Sequence, residues 1–157
     1  MNELTQKLIL NQGYSKEDIG KYSKINLLIR WTPFMCSLAG IIGLLIKSPI
    51  YFFVLGCLTF IGAFSTTSFF DYIYKFTFQI FLKENIIPPH GNARRFGCGI
   101  GAVMFLLAGL GFYIHNYYLA LIPGIIITAL AAIAALTQWC FASTLYNLIF
   151  RKREKCC

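Results

Sequence analysis

The sequence predicts an all-α membrane protein: a bundle of four transmembrane helices in two antiparallel hairpins. An amphipathic N-terminal segment precedes the bundle, and an interfacial helix joins the second and third spans. Three observations predict it. Of the 157 residues, 57% are hydrophobic and 13% are charged, against about 25% charged in soluble domains, and the mean hydropathy is +0.64. The apolar residues fall in four runs of about 20 residues, the length a helix needs to cross a hydrocarbon core of about 30 Å. The basic residues collect at the ends of those runs. A chain of this length supports one domain, here 1–157.

Residues 1–25 form a polar lead in which Leu4, Leu8, Ile9 and Ile19 make a weak apolar face. This reads as an interfacial helix before the first span. A secretory signal peptide is not expected from such a charged opening. The four spans are expected at about 26–46, 50–70, 96–115 and 118–142. Lys47-Ser48-Pro49 is too short to be anything but a turn, so the first two spans run antiparallel. The fourth span is expected to continue as helix to about Phe150, beyond the hydrocarbon. Between spans two and three, Asp71, Lys75, Gln79 and Lys83 recur every fourth residue and draw one polar stripe along an apolar helix. Pro88-Pro89 ends that helix, because proline disfavours helix in the residue before it.

Lysine and arginine set the orientation. The lead, the middle segment and the tail carry Lys7, Lys16, Lys21, Lys24, Arg30, Lys75, Lys83, Arg94, Arg95, Arg151, Lys152, Arg153 and Lys155; the opposite side carries Lys47 alone. Basic loops stay in the cytoplasm, which places both termini there. The net charge of +8 thus reflects topology and anionic lipid rather than nucleic acid.

Chemistry is expected at the cytoplasmic mouth, where Arg30, Asp71, His90, Arg94 and Arg95 meet two cysteines. Cys98 is expected in the first turn of the third span, where unpaired N–H groups, the helix dipole and Arg94 and Arg95 favour a thiolate. Cys140 comes at the same depth from the fourth span, without a helix terminus of its own. Cys36 and Cys57 fall mid-span and read as packing residues; Cys156 and Cys157 end a basic tail. No Cys-x-x-Cys pair, metal spacing, phosphate loop or Ser/His/Asp set is visible. Ala39-x-x-x-Gly43 and Gly97-x-x-x-Gly101 read as helix-packing motifs.

Two stretches carry a family likeness: Pro88-Pro89-His90-Gly91-Asn92-Ala93-Arg94-Arg95-Phe96 and Cys140-Phe141-Ala142-Ser143-Thr144-Leu145-Tyr146. They resemble an uncharacterised bacterial four-helix membrane family, a domain of unknown function, with Pro-Pro-x-x-Arg-Phe before the third span and Cys-x-Gly-Cys-x-x-Tyr closing the fourth. The likeness covers about residues 26–150. This chain has five residues rather than two between Pro89 and Arg95, Ala142 in place of the family's glycine, and Ser143 where the family has its second cysteine. The architecture is also similar to DoxX-like four-helix proteins, some linked to sulfur or quinone redox chemistry.

The resemblance and the depth of Cys140 together imply thiol redox or sulfur handling at the cytoplasmic mouth, of the thiol-disulfide oxidoreductase kind. Cys140 would react, and two explanations of Ser143 stand side by side: Cys98, at similar depth, is the partner thiol, or Ser143 is a replacement made to trap a mixed disulfide with another protein. Arg94, Arg95, His90, Arg30 and Asp71 would stabilise the thiolate or an anionic sulfur species. The implied partner is a thioredoxin-like protein or a persulfide carrier. A quinone enters by family analogy alone. Two other functions compete: a non-catalytic membrane subunit that binds a partner through its basic face, and a small transporter.

Overall fold

The computed structural model describes residues 6, 7, 9, 10, 25–65, 73, 76 and 92–150. Among them five helices form and no strand: α1 (Ile25–Ile46), α2 (Pro49–Phe64), α3 (Asn92–Tyr113), α4 (Tyr117–Thr137) and α5 (Phe141–Phe150). α1, α3 and α4 are long and apolar enough to cross a membrane, while α2 and α5 are shorter apolar helices. In the lead, Gln6 and Lys7 are exposed and Ile9 is buried, as an amphipathic helix requires. Ile73 and Phe76 are helical and exposed. Asp71, Lys75 and the rest of the polar stripe, His90, and Arg151 to Cys157 lie outside the described residues.

The helix ends follow from local chemistry. Lys47 closes α1 in the left-handed conformation (φ 53°) and donates its N–H to the Gly43 carbonyl at 2.9 Å. Ser48 then enters α2 extended, and Pro49 takes its first turn, where a missing N–H costs nothing. At the far end, Ser65 is extended (ψ 152°) and donates to the Ile61 carbonyl. The second span expected to reach Phe70 therefore ends as a helix at Phe64. The α3–α4 turn repeats the device. His115 is left-handed (φ 57°), Asn116 donates to Gly111 at 2.9 Å, and the Asn116 side chain accepts from the Leu119 N–H at 3.2 Å to cap α4.

The packing order is not the sequence order. α1 and α2 share a turn, where the Tyr51 hydroxyl donates to the Ala39 carbonyl at 3.1 Å and the two rings of Tyr51 and Phe52 crowd Gly43. Beyond that they barely touch. α2 packs on α3, α3 on α4, and α4 on α1, so the first of the two expected hairpins is splayed. Lipid tails are as apolar as leucine, so such contacts depend on close approach and on hydrogen bonds rather than on transfer from water. Glycines supply the approach. Thr128 occupies the place of a Gly40 side chain, and the backbone of Leu119 and Ala120 that of Gly111. Ser37 donates to the Thr128 carbonyl at 3.3 Å. The core joins Phe52, Leu55, Phe105, Ala108, Phe112, Ala120 and Ile127, with Phe52 stacked on Phe112 at 5.4 Å between ring centroids.

The fourth span departs from expectation at its end. α4 continues through Pro123-Gly124 but stops at Thr137. Gln138 turns left-handed (φ 61°), with its N–H on the Ala134 carbonyl, and its side chain is buried. Trp139 donates to the Thr137 hydroxyl at 3.2 Å. A new helix, α5, starts at Phe141 in place of the single helix expected to Phe150.

Candidate functional site

The described cavity lies in the half of the bundle where α1 and α3 begin, α2 and α4 end, and α5 starts. Its volume is about 140 Å³. Apolar walls come from Ile29, Ile127, Leu130 and Ala134, and among them stand Arg94, Cys36, Cys98 and Cys140. Buried apolar cavities of about 150 Å³ hold a benzene-sized molecule, so the space suits a ligand of one ring or a few heavy atoms.

Cys140 sits at the start of α5. Its carbonyl accepts from the Thr144 N–H at 3.1 Å and the Thr144 hydroxyl at 3.2 Å, so Cys140 is the N-cap residue of a ten-residue helix. Helix N-termini offer unpaired N–H groups and the positive end of the dipole. The sequence expectation assigned that advantage to Cys98, and the structure reverses it. α3 starts at Asn92 rather than near Phe96, so Cys98 lies in the second turn, where the N-terminal effect has faded. Cys140 acquires a helix terminus because α4 breaks at Gln138. The two cysteines share one cavity wall: Cys140 Sγ is 3.9 Å from where a side chain on Gly97 would begin, one residue before Cys98.

The arginines part company. Arg94 is buried, lines the cavity and donates from Nη2 to the Ile29 carbonyl at 3.4 Å. Arg95 turns away: Nε donates to Ala63 at 3.1 Å and Nη2 to Phe64 at 2.6 Å. It caps the last turn of α2, a place suited to a cation, and it is not among the residues of the cavity wall. Arg30 is half-buried, and its Nε is buried without a hydrogen-bond partner. Asp71 and His90 lie outside the described residues.

Ser143, one turn into α5, is 1% exposed, and its hydroxyl has no hydrogen-bond partner. A buried, unpaired hydroxyl costs about 1–3 kcal/mol, whereas a thiol, a weak hydrogen-bonding group, loses less there. α5 is held to α3 by Phe96 and Tyr146, whose ring centroids are 5.6 Å apart, and by Gly97, where a side chain would begin 3.3 Å from Ala142 Cβ.

Cys36 is the residue that sequence reading missed. It lines the cavity together with Cys98 and Cys140. Its spacing from Ile29, Thr32 and Pro33 on one face of α1 was the signal available, though nothing in it names the neighbour. Cys57 is exposed on the outer surface of α2, not packed. Cys36, Cys57, Cys98 and Cys140 are all thiols. Among the described residues no three His, Cys, Asp or Glu side chains are placed to hold a metal ion.

No curated protein and no solved structure matches the chain. A family model does match, over residues 26–151: DUF4395, a domain of unknown function. That stretch takes in α1 to α5 but for the first residue of α1. The chain belongs to the DUF4395 family.

Proposed function

We propose that this chain is a four-span protein of the bacterial inner membrane, with both termini cytoplasmic, that carries out thiol exchange or sulfur transfer with Cys140 as its reactive thiol. One observation carries the reading. Cys140 caps the start of α5 on the wall of an apolar cavity that also holds Cys98 and Arg94. Thiol exchange develops negative charge on sulfur. The first turn of α5 follows Cys140 directly, and the Arg94 guanidinium belongs to the same cavity lining; both support negative charge on that sulfur.

In the reaction, the Cys140 sulfur attacks one sulfur of a disulfide or persulfide on a thioredoxin-like or persulfide-carrying partner. A new S–S bond forms to Cys140, the old one breaks, and the leaving sulfur departs as a thiolate. Ser143 cannot resolve the adduct, because a hydroxyl is not a disulfide-forming group. The resolving thiol in this reading is Cys98, a choice supported by its place on the same cavity as Cys140. The single-ring size and apolar walls also fit a quinone head, which Arg94 would hold; bound there, it would supply a two-electron acceptor for a dithiol.

The test is alkylation by iodoacetamide in native membranes at neutral pH, followed residue by residue by mass spectrometry. Cys140 is expected to react about tenfold or more faster than glutathione under the same conditions. A rate at or below that of glutathione sinks the redox reading and favours a non-catalytic subunit that binds its partner through the basic face. Accessibility labelling tests the topology: positions 115–118 are expected outside, positions 90–95 and 151–157 inside. Labelling of 90–95 from outside overturns the orientation.

A further inference from the structure

We infer that Cys36 completes a three-thiol relay, Cys140 to Cys98 to Cys36, that draws oxidising equivalents from the mouth into the bundle. The inference rests on the redox reading of Cys140 and adds to it a residue and a direction. Three observations carry it. The three thiols line one cavity, and they come from three different elements, α1, α3 and the start of α5. Cys140 Sγ lies 3.9 Å from where a side chain on Gly97, the chain neighbour of Cys98, would begin, and Cys36 lines the same cavity as both. Ser143 leaves Cys140 without a resolving thiol on its own helix. In the relay Cys98, next in the chain to Gly97, is the middle member.

The steps balance. A disulfide R–S–S–R is attacked by the Cys140 thiolate, giving Cys140–S–S–R and one R–S⁻. The Cys98 thiolate then attacks Cys140 Sγ, giving a Cys98–Cys140 disulfide and the second R–S⁻. The Cys36 thiolate attacks Cys98 Sγ, giving a Cys36–Cys98 disulfide and returning Cys140 as a thiolate. Each thiol that enters as a nucleophile gives up its proton to solvent or to the departing thiolate. In sum, one disulfide is reduced to two thiols, and Cys36 and Cys98 are oxidised to one disulfide. A dithiol reductant resets the pair. The arrangement keeps Cys140 open for a second partner while the oxidised pair stays behind apolar walls.

The experiment uses the full chain in lipid nanodiscs, with Cys57, Cys156 and Cys157 replaced by serine. One equivalent of 5,5′-dithiobis(2-nitrobenzoate) is the probe. Release of thionitrobenzoate is followed by absorbance, and linked peptides are mapped without reduction. The relay predicts two thionitrobenzoates released per probe molecule, a Cys36–Cys98 link as the main product, and a Cys140 that still takes up iodoacetamide. Cys36→Ala, with Cys36→Ser as the second variant, is expected to trap the Cys98–Cys140 link and to block alkylation of Cys140. Cys140→Ala is expected to slow release about tenfold or more. If Cys140 forms its adduct but the Cys98–Cys140 link accumulates equally with and without Cys36, the relay is overturned and the reactive Cys140 stands. A single thionitrobenzoate per probe, with the adduct unresolved, has the same meaning. If Cys140→Ala reacts as fast as the parent, the relay and the redox reading both fall.

Discussion

Arg94 gives a hydrogen bond to the carbonyl that Pro33 leaves without its helical donor. Within α1, the carbonyl of Ile29 is the acceptor for the N–H of residue 33, and proline has none. The Arg94 guanidinium reaches that carbonyl at 3.4 Å from α3, across the cavity that Ile29, Pro33 and Arg94 all line. A backbone gap on one helix thus orients a buried cation on another. The cost of an unpaired carbonyl at this depth is offset by the same contact that positions the charge.

This pairing predicts a coupling between positions 33 and 94. Arg94→Met is expected to destabilise the bundle by about 1–3 kcal/mol and to slow alkylation of Cys140. In a Pro33→Ala background the Ile29 carbonyl regains a donor, and the stability cost of Arg94→Met should fall by about 0.5–1.5 kcal/mol. Thermal unfolding of the four proteins in one detergent measures the cycle. Strictly additive effects would mean that Arg94 does not serve the Ile29 carbonyl.

Ser143 offers a second test, in which stability and chemistry separate. Its unpaired hydroxyl is buried, so Ser143→Ala and Ser143→Cys should each stabilise the protein by about 1–3 kcal/mol. Only Ser143→Cys should let mild oxidation protect Cys140 from alkylation, reversibly with dithiothreitol, because only it adds a thiol one turn away. If Ser143→Cys leaves the count of alkylatable thiols unchanged by oxidation, the two positions do not form a redox pair.

The glycines of α3 should differ sharply. A side chain on Gly111 would collide with the backbone of Leu119 and Ala120, which cannot move without opening the α3–α4 turn. Gly111→Ala is expected to cost about 1–3 kcal/mol or more. Gly99, whose nearest neighbour would be Ala63 Cβ at 3.8 Å, is in ordinary contact range, and Gly99→Ala should change stability by less than about 1 kcal/mol. Equal melting temperatures for the two variants would refute the close approach at Gly111.

Three helices end on a non-glycine residue with positive φ: Lys47, His115 and Gln138. Lys47 and His115 are exposed, so glycine there removes strain without losing packing. Lys47→Gly and His115→Gly should each stabilise by about 0.5–1 kcal/mol. Gln138 is 2% exposed, so Gln138→Gly should destabilise, and it should loosen the start of α5. Chemical denaturation in micelles reads all three. A stabilised Gln138→Gly would show that the break between α4 and α5 does not depend on that side chain.

Much of this molecule was determined by the order of its residues alone. The bilayer admits only segments whose backbone bonds close internally over about 20 apolar residues, so hydropathy and length were enough to place three long helices and the turns at Lys47 and His115. What the tertiary structure alone decided is which faces meet. Periodicity says that Cys36 shares a face with Ile29 and Pro33, but a face does not name its partner. α1 could have packed on α2, to which a short turn ties it, and instead packs on α4. The seat of Cys140 was hidden for a related reason. Glutamine carries no local signal for a left-handed turn, yet α4 stops at Gln138, which is buried against the bundle. That one conformation starts a new helix three residues later and gives Cys140 a helix terminus, while Cys98 loses the one the sequence placed there because α3 begins at Asn92.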